Sequence, residues 1–270
     1  MNGAAERKVG EQYMNFFVEG LQGSGKSTLV SRLAARYPGY RAVREGEYSP
    51  VELSWCAYLD RAQYDAVLER YPELRGEIIR NSFFEDDRVI TCYTLIRSDD
   101  PAFYRDLERY EIYNGRVGRD EFRRIILSRF ERWSGDGMIF ECSLFQNIVE
   151  DMMLFQVASD EEILDLYRLI GRTLSGRDIH ILYLRSDDVG ANIAAIRKER
   201  TDGQGNEAWF NMMCRFFDES PYAAAHGLSG EEDLLEHFRH RQELELRLCR
   251  EIFPGKVRIL RSKGYSSEEL

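Results

Sequence analysis

Residues 16–30 read FFVEGLQGSGKSTLV, with three glycines, a lysine and three hydroxyls set between apolar stretches. Leu, Val and Phe can pack in a core, but Gly-Ser-Gly-Lys-Ser-Thr cannot. Gly20, Gly25, Lys26 and Ser27 satisfy G-x-x-x-x-G-K-[ST] without a mismatch, in the strand-then-helix context the pattern requires. Gly20, Gln22, Gly23, Ser24 and Gly25 form a turn whose successive N–H groups can face a phosphate. The following helix N-terminus adds positive partial charge. In this reading Lys26 reaches the β- and γ-phosphates, the Ser27 hydroxyl ligates Mg²⁺, and Thr28 supports the α-phosphate end. The expectation is a site for ATP with Mg²⁺.

The rest of the chain repeats the strand–helix alternation. MNFFVEG is a buried strand, and KSTLVSRLAARY has helical spacing up to Pro38-Gly39. YRAVREG, GMIFE (137–141), IHILYLR (179–185) and KVRIL (256–260) supply four more strands. Helical segments lie between them: LFQNIVEDMMLFQV, DEEILDLYRLIGRTL, VGANIAAIRKER, EAWFNMMCRFFDE and EEDLLEHFRHRQELELRLCREIF. Strands separated by helices imply parallel pairing with helices on both faces. The unbroken apolar runs MIF and ILYL fit strands buried on both sides. About ninety residues rich in Tyr, Phe, Arg and Glu separate the second strand from the third. They read as a helical, substrate-side insertion at about 56–135, with a hairpin or tight turn at the Asn-Gly of EIYNGRV and an amphipathic helix in RDEFRRIILSRFERW.

These segments together resemble the deoxynucleoside kinase and thymidylate kinase group of P-loop kinases, from about residue 14 to residue 262. An apolar strand ending in Glu-Gly precedes the loop. VREGEYSPVELSW resembles the group's Glu-Pro…Trp segment, IFECSLFQN its Glu-Arg-Ser-x-Tyr segment, and YLRSDDVGANIAAIRKER its fourth strand and arginine-bearing lid helix. The resemblance implies a single P-loop NTPase domain over residues 1–270, with a five-stranded parallel sheet in the order 2-3-1-4-5. It implies an ATP-dependent phosphotransferase acting on a small-molecule acceptor, a nucleoside or nucleotide among the candidates. Cys142 stands where the group has an arginine, Gly46 follows Glu45 in place of proline, and the insertion is longer than usual.

Glu45 or Glu47, after the second strand, is the expected base for the acceptor hydroxyl. Glu141, ending an apolar run, is the expected partner of Ser27 on the metal, because a carboxylate buried there needs a compensating charge. Arg197 and Arg200 lie three apart before the glycine-rich TDGQGN and are expected to clamp the transferring phosphoryl group as a lid closes, with Lys198 behind them. Trp55, Tyr58, Phe83 and Phe84 could stack on an acceptor ring, or equally pack as core. Arg97 could replace the arginine missing at 142. Of four histidines, His180 reads as structural and the His237/His240 pair as a solvated face rather than a metal site.

The formal net charge of −10 disfavours sequence-independent nucleic-acid binding, which needs a basic surface. No apolar run approaches the roughly 18 residues of a membrane span, and the first residues lack a signal-peptide core. Five widely spaced cysteines without a CxxC pair suggest neither zinc nor disulfides, and a cytoplasmic setting follows. A homodimer is left open. The alternative function is a nucleotide-binding regulator or slow NTPase without a small-molecule acceptor; no Asn-Lys-x-Asp guanine-reading motif is present.

Overall fold

The computed structural model describes residues 13–266. β1 (Asn15–Gly20) is buried along its whole length and runs into the glycine-rich loop. α1 (Lys26–Arg36) follows without a side-chain N-cap, and β2 (Arg41–Val43) is short. The insertion comprises β3 (Ala57–Asp60), α2 (Arg61–Arg70), α3 (Arg75–Arg80), β4 (Ser82–Glu85), β5 (Arg88–Thr91), α4 (Pro101–Glu108) and α5 (Arg119–Arg132). The chain then forms β6 (Met138–Glu141), α6 (Gln146–Leu154), α7 (Asp160–Thr173) and β7 (Ile179–Arg185). α8 (Val189–Glu199), α9 (Ala208–Asp218), α10 (Pro221–His226), α11 (Gly230–Glu251) and β8 (Val257–Arg261) complete it.

The main sheet has the order β2-β6-β1-β7-β8, and every pairing in it is parallel. Counted along this sheet alone, that is 2-3-1-4-5, the expected order. Alternation along β1 divides the core. Phe17 stacks on its register partner Phe140 at 4.8 Å and joins the side covered by α5, α6, α7 and α11. Phe16 and Val18 point the other way, onto Leu29, Val30 and Leu33 of α1. The five-stranded sheet is therefore flanked by helices on both faces, an architecture compatible with Rossmann-like and P-loop folds.

The insertion, read from sequence as helical apart from a hairpin or tight turn at Asn-Gly, contains strands elsewhere. β3, β5 and β4 form a three-stranded antiparallel sheet, and α2 and α4 pack with it around a separate apolar cluster containing Leu59, Val67, Val89 and Phe103. Helix formation is secured locally at α2, where Asp60 and Gln63 make a reciprocal capping box. Asn114 and Gly115 both have positive φ, 60° and 68°, and make a tight turn rather than a strand hairpin.

Candidate functional site

A cavity of about 760 Å³ opens at the carboxyl edge of the main sheet. Its lining comes from the segments that follow β1, β2, β6, β7 and β8, where open α/β sheets hold ligands. The loop from Gln22 to Ser27, with Thr28, forms one wall. Gly20 has φ +135°, and a Cβ there would lie 2.6 Å from the Leu184 carbonyl oxygen of the neighbouring strand, so only glycine lets β1 end beside β7. Gly25 has φ +99° and serves as the N-terminal boundary of α1. The first N–H groups of that helix are unpaired by any cap side chain, and a negatively charged group is the partner they favour.

Lys26 is only 7% exposed and curls over the loop, donating to the carbonyls of Gly20 at 2.9 Å and Leu21 at 2.8 Å. Ser27 donates its hydroxyl to Glu141 Oε1. Arg44 approaches the other Glu141 oxygen at 3.8 Å. Ser27 and Glu141 thus put two hard oxygen donors side by side at the mouth of the loop. That donor set suits Mg²⁺, which takes one or two protein ligands and completes its shell with water and phosphate oxygens. No cluster of three or more His, Cys, Asp or Glu side chains able to hold a metal occurs among the described residues, so a site closed entirely by such ligands is absent there.

Two neighbours hold the loop from outside. Asn192 Nδ2 donates to the Gln22 carbonyl at 2.8 Å, and Ser262 Oγ donates to the Ser24 carbonyl at 2.9 Å. The Gln22 side chain is drawn inward, where its Oε1 accepts from Arg241 at 2.6 Å. Arg241 is fully buried and also donates to Glu150 at 2.7 Å, with Glu245 Oε1 at 3.3 Å from its Nε. His237 Nε2 completes the cluster at 2.9 Å from Glu150. Burial alone would raise the Glu150 pKa, but Arg241 and His237 overcome it and hold the carboxyl down at about 2. His237 is therefore an interior residue, contrary to the solvated-face reading.

The sequence candidates separate. Glu45 lines the cavity, where its Oε1 accepts from Trp55 Nε1 at 3.1 Å and Gln146 Nε2 at 3.4 Å. Glu47 does not line it; its Oε2 accepts the Arg44 backbone N–H at 2.9 Å and closes a turn. Both lie beyond β2, which ends at Val43 and borders β6 rather than β1. Arg200 lines the cavity, with its guanidinium 4.8 Å from the Trp209 ring centre. Arg197 is turned away into ion pairs with Glu207 and Glu231 and lies over Phe210. Three-residue spacing put the two arginines on one face, but the carboxylates beside Arg197 claim it. Trp55 lines the cavity, whereas Phe83 stacks on Tyr48, Phe84 lies under Arg61, and Tyr58 lies under Arg88. Arg97 is exposed and outside the lining. Cys142 is buried, and burial pushes its thiol well up, so it supplies neither a cation nor a thiolate.

The sequence reading missed the opposite wall, formed by Glu111, Tyr113, Asn114, Gln146, Asn147 and Asp151. One signal for it was available: QNIVEDMML places two adjacent acids between the apolar pairs Ile148-Val149 and Met152-Met153. Strain marks the site as well. Of the six non-glycine residues with positive φ among the described residues, Trp55, Asn114 and Lys263 line the cavity.

Several buried carboxyls carry a pH signature. Burial raises Glu19 from 4.5 to about 8, with Glu245 adding to it, although N–H groups of Leu144, Phe145 and Gln146 pull the other way. Burial likewise raises Glu52 and Glu111 to about 7 and Asp151 to about 6. Each holds its proton more tightly folded than unfolded. The stability this brings is complete below the unfolded value and is lost as pH rises through the folded one. The melting temperature is expected to fall between pH 4.5 and about 8 from Glu19 alone, and Glu19→Gln to flatten that slope. A Glu19→Gln protein with the wild-type slope in a pH series of thermal melts would exclude Glu19 as a source.

No family model matches the chain, and no curated protein matches it. Among solved structures, the crystal structure of TT1252 from Thermus thermophilus aligns at 15% identity and a TM-score of 0.24, covering 89% of this chain and 99% of that one. A likeness at that level carries no argument about fold or activity. Among the described residues, no helix is long and apolar enough to cross a membrane.

Proposed function

We propose that this protein is a P-loop kinase that moves the γ-phosphoryl group of ATP to the hydroxyl of a small-molecule acceptor. The observation that carries the reading is the Gly20–Ser27 loop. It leaves the carboxyl end of a central parallel strand, enters an uncapped helix N-terminus, and has Lys26 folded over it and Ser27 against Glu141. The resemblance of the surrounding segments to deoxynucleoside and thymidylate kinases agrees with it.

In this reading the loop N–H groups and Lys26 hold the β- and γ-phosphates. Ser27 and Glu141 would hold Mg²⁺, which would supply positive charge to offset that of the phosphates. Glu45, across the cavity mouth, takes the proton of the acceptor hydroxyl as its oxygen bonds to the γ-phosphorus. The bond from that phosphorus to the β–γ bridging oxygen breaks, and ADP leaves. Arg200, at the end of α8, offsets the charge spread over the transferring group, and Trp209, Met212 and Phe216 supply an apolar wall that excludes water.

The first test is nucleotide binding. Titration calorimetry is expected to show saturable binding of Mg·ATP, weakened about 10- to 100-fold in Lys26→Ala, as for loss of one hydrogen bond to a charged group. Equal affinity in the two proteins would overturn the assignment of the loop.

A further inference from the structure

The cavity keeps its cations on one side, beside the carboxylates of Glu141 and Glu199. Its cations, Lys26, Arg32, Arg200 and Lys263, all come from the loop, α1, the end of α8 and the turn after β8. The facing wall is a continuous set of contacts: Glu45 to Gln146, Gln146 to Asn147, and Asn147 to Ser54. Glu111 and Asp151 line the same cavity, Glu111 held by Asn114 and Asp151 by the N–H of Gly115. No lysine or arginine of the described residues lines the cavity on this side. The arginines nearest in sequence or space are already engaged: Arg44 with Glu141, Arg116 with Glu108, and Arg241 with Glu150 and Glu245.

Glu111 and Asp151 are each 2% exposed, yet the hydrogen-bond donors recorded to their carboxylates are all neutral. Tyr93 and Asn114 donate to the first; Gly115 and Gln156 donate to the second. An independent feature lies between Glu45 and Asn147. Gln146 lines the cavity, is 5% exposed, and commits its Nε2 to those two residues. Among the described residues its Oε1 has no hydrogen-bond partner, which is costly for a buried carbonyl oxygen. The wall therefore offers acceptors and two carboxyls that a bound cation would hold ionised, and among the described residues it lacks a cation.

We propose that this wall binds a protonated amine, so that the phosphoryl acceptor is an amino alcohol or amino sugar rather than a nucleoside monophosphate. This rests on the kinase reading for the reaction and on the wall alone for the charge. The ammonium group donates to Glu111, Asp151 and Gln146 Oε1, and replaces with ligand charge what the fold leaves uncompensated. The hydroxyl of the same molecule then lies between Glu45 and the phosphate loop. Its oxygen gains the phosphoryl group, its proton passes to Glu45, and ADP is released. A nucleoside monophosphate would instead bring its own phosphate against three carboxylates with no cation to receive it.

Binding of adenylyl-imidodiphosphate with Mg²⁺ is measured first by calorimetry, and its absence would defeat the kinase reading by itself. Ethanolamine, glucosamine and neamine are then titrated with and without that nucleotide, beside neutral N-acetylglucosamine and anionic thymidine 5′-monophosphate. At least one amine is expected to bind in the millimolar range or tighter, with glucosamine at least about tenfold tighter than N-acetylglucosamine, the loss expected for one charged hydrogen bond. Glu111→Gln and Asp151→Asn are each expected to weaken the amine by about tenfold or more and to leave nucleotide affinity unchanged. Failure of all three amines, equal binding of N-acetylglucosamine, or preference for thymidine 5′-monophosphate would overturn the proposal. The comparison among probes uses the wild-type protein, so it decides the matter even if a variant fails to fold.

Discussion

Replacing Glu45 by Gln is expected to lower kcat by about 10² to 10⁴, the usual contribution of a general base, while nucleotide affinity stays near wild type. Glu47→Gln is expected to turn over normally. The two carboxylates are separated by a single residue, but only Glu45 lines the cavity, while Glu47 is spent on the Arg44 N–H. Glutamine preserves the contact to Trp55 Nε1 through its carbonyl oxygen, so a loss of rate would report proton acceptance rather than a collapsed turn. Steady-state kinetics on an acceptor found by the amine screen provides the measurement. A Glu45→Gln enzyme with wild-type kcat would remove the base from this strand end.

Arg241→Met is expected to destabilise the fold by about 3 to 5 kcal/mol, the range for removing one partner of a buried ion pair. The guanidinium lies between Glu150 and Glu245; Glu245 is fully buried, and Glu150 reaches only the cavity edge. Glu245 also accepts from Tyr183 at 2.7 Å, a neutral bond that does not replace the lost charge. Removing all three ionised groups together should cost less than removing the arginine alone, because no buried charge is then orphaned. Denaturant unfolding of the single variant and of Glu150→Gln/Arg241→Met/Glu245→Gln tests both statements. A single variant as stable as wild type would mean that the cluster is hydrated or relaxes freely.

Much of this architecture was legible in the chain because its signals are obligatory. The loop glycines are demanded by positive φ and by the approach of Leu184, and IHILYLR occupies β7 from end to end, its ILYL stretch buried without a break between β1 and β8. The insertion strands were not legible for the converse reason. β4 is an edge strand with Phe83 and Phe84 both exposed, so hydrophobicity there follows no period of two. The interior of α11 misled differently. His237, Arg241 and Glu245 recur every four residues and share a face, yet a charged face reads as solvated unless its partners are known. Those partners, Glu150 and Gln22, lie far away in sequence. The acidic wall of the cavity is assembled from residues 45, 111, 146 and 151, which no local pattern connects.

The Ser262 hydroxyl that fixes the Ser24 carbonyl comes from 238 positions further along the chain. Asn192 fixes the Gln22 carbonyl from 170 positions away, and Arg241 reaches the Gln22 side chain from 219. The most recognisable local motif is therefore completed by some of the least local contacts. Chain-closure entropy must be met before such contacts contribute. During synthesis the loop emerges early, but its anchors arrive only after β7 has been made, the last of them beyond α11. On the kinase reading, a nascent chain would carry the whole loop motif in sequence and still lack the scaffold that shapes it, so the proposed nucleotide site would be complete only at the close of folding.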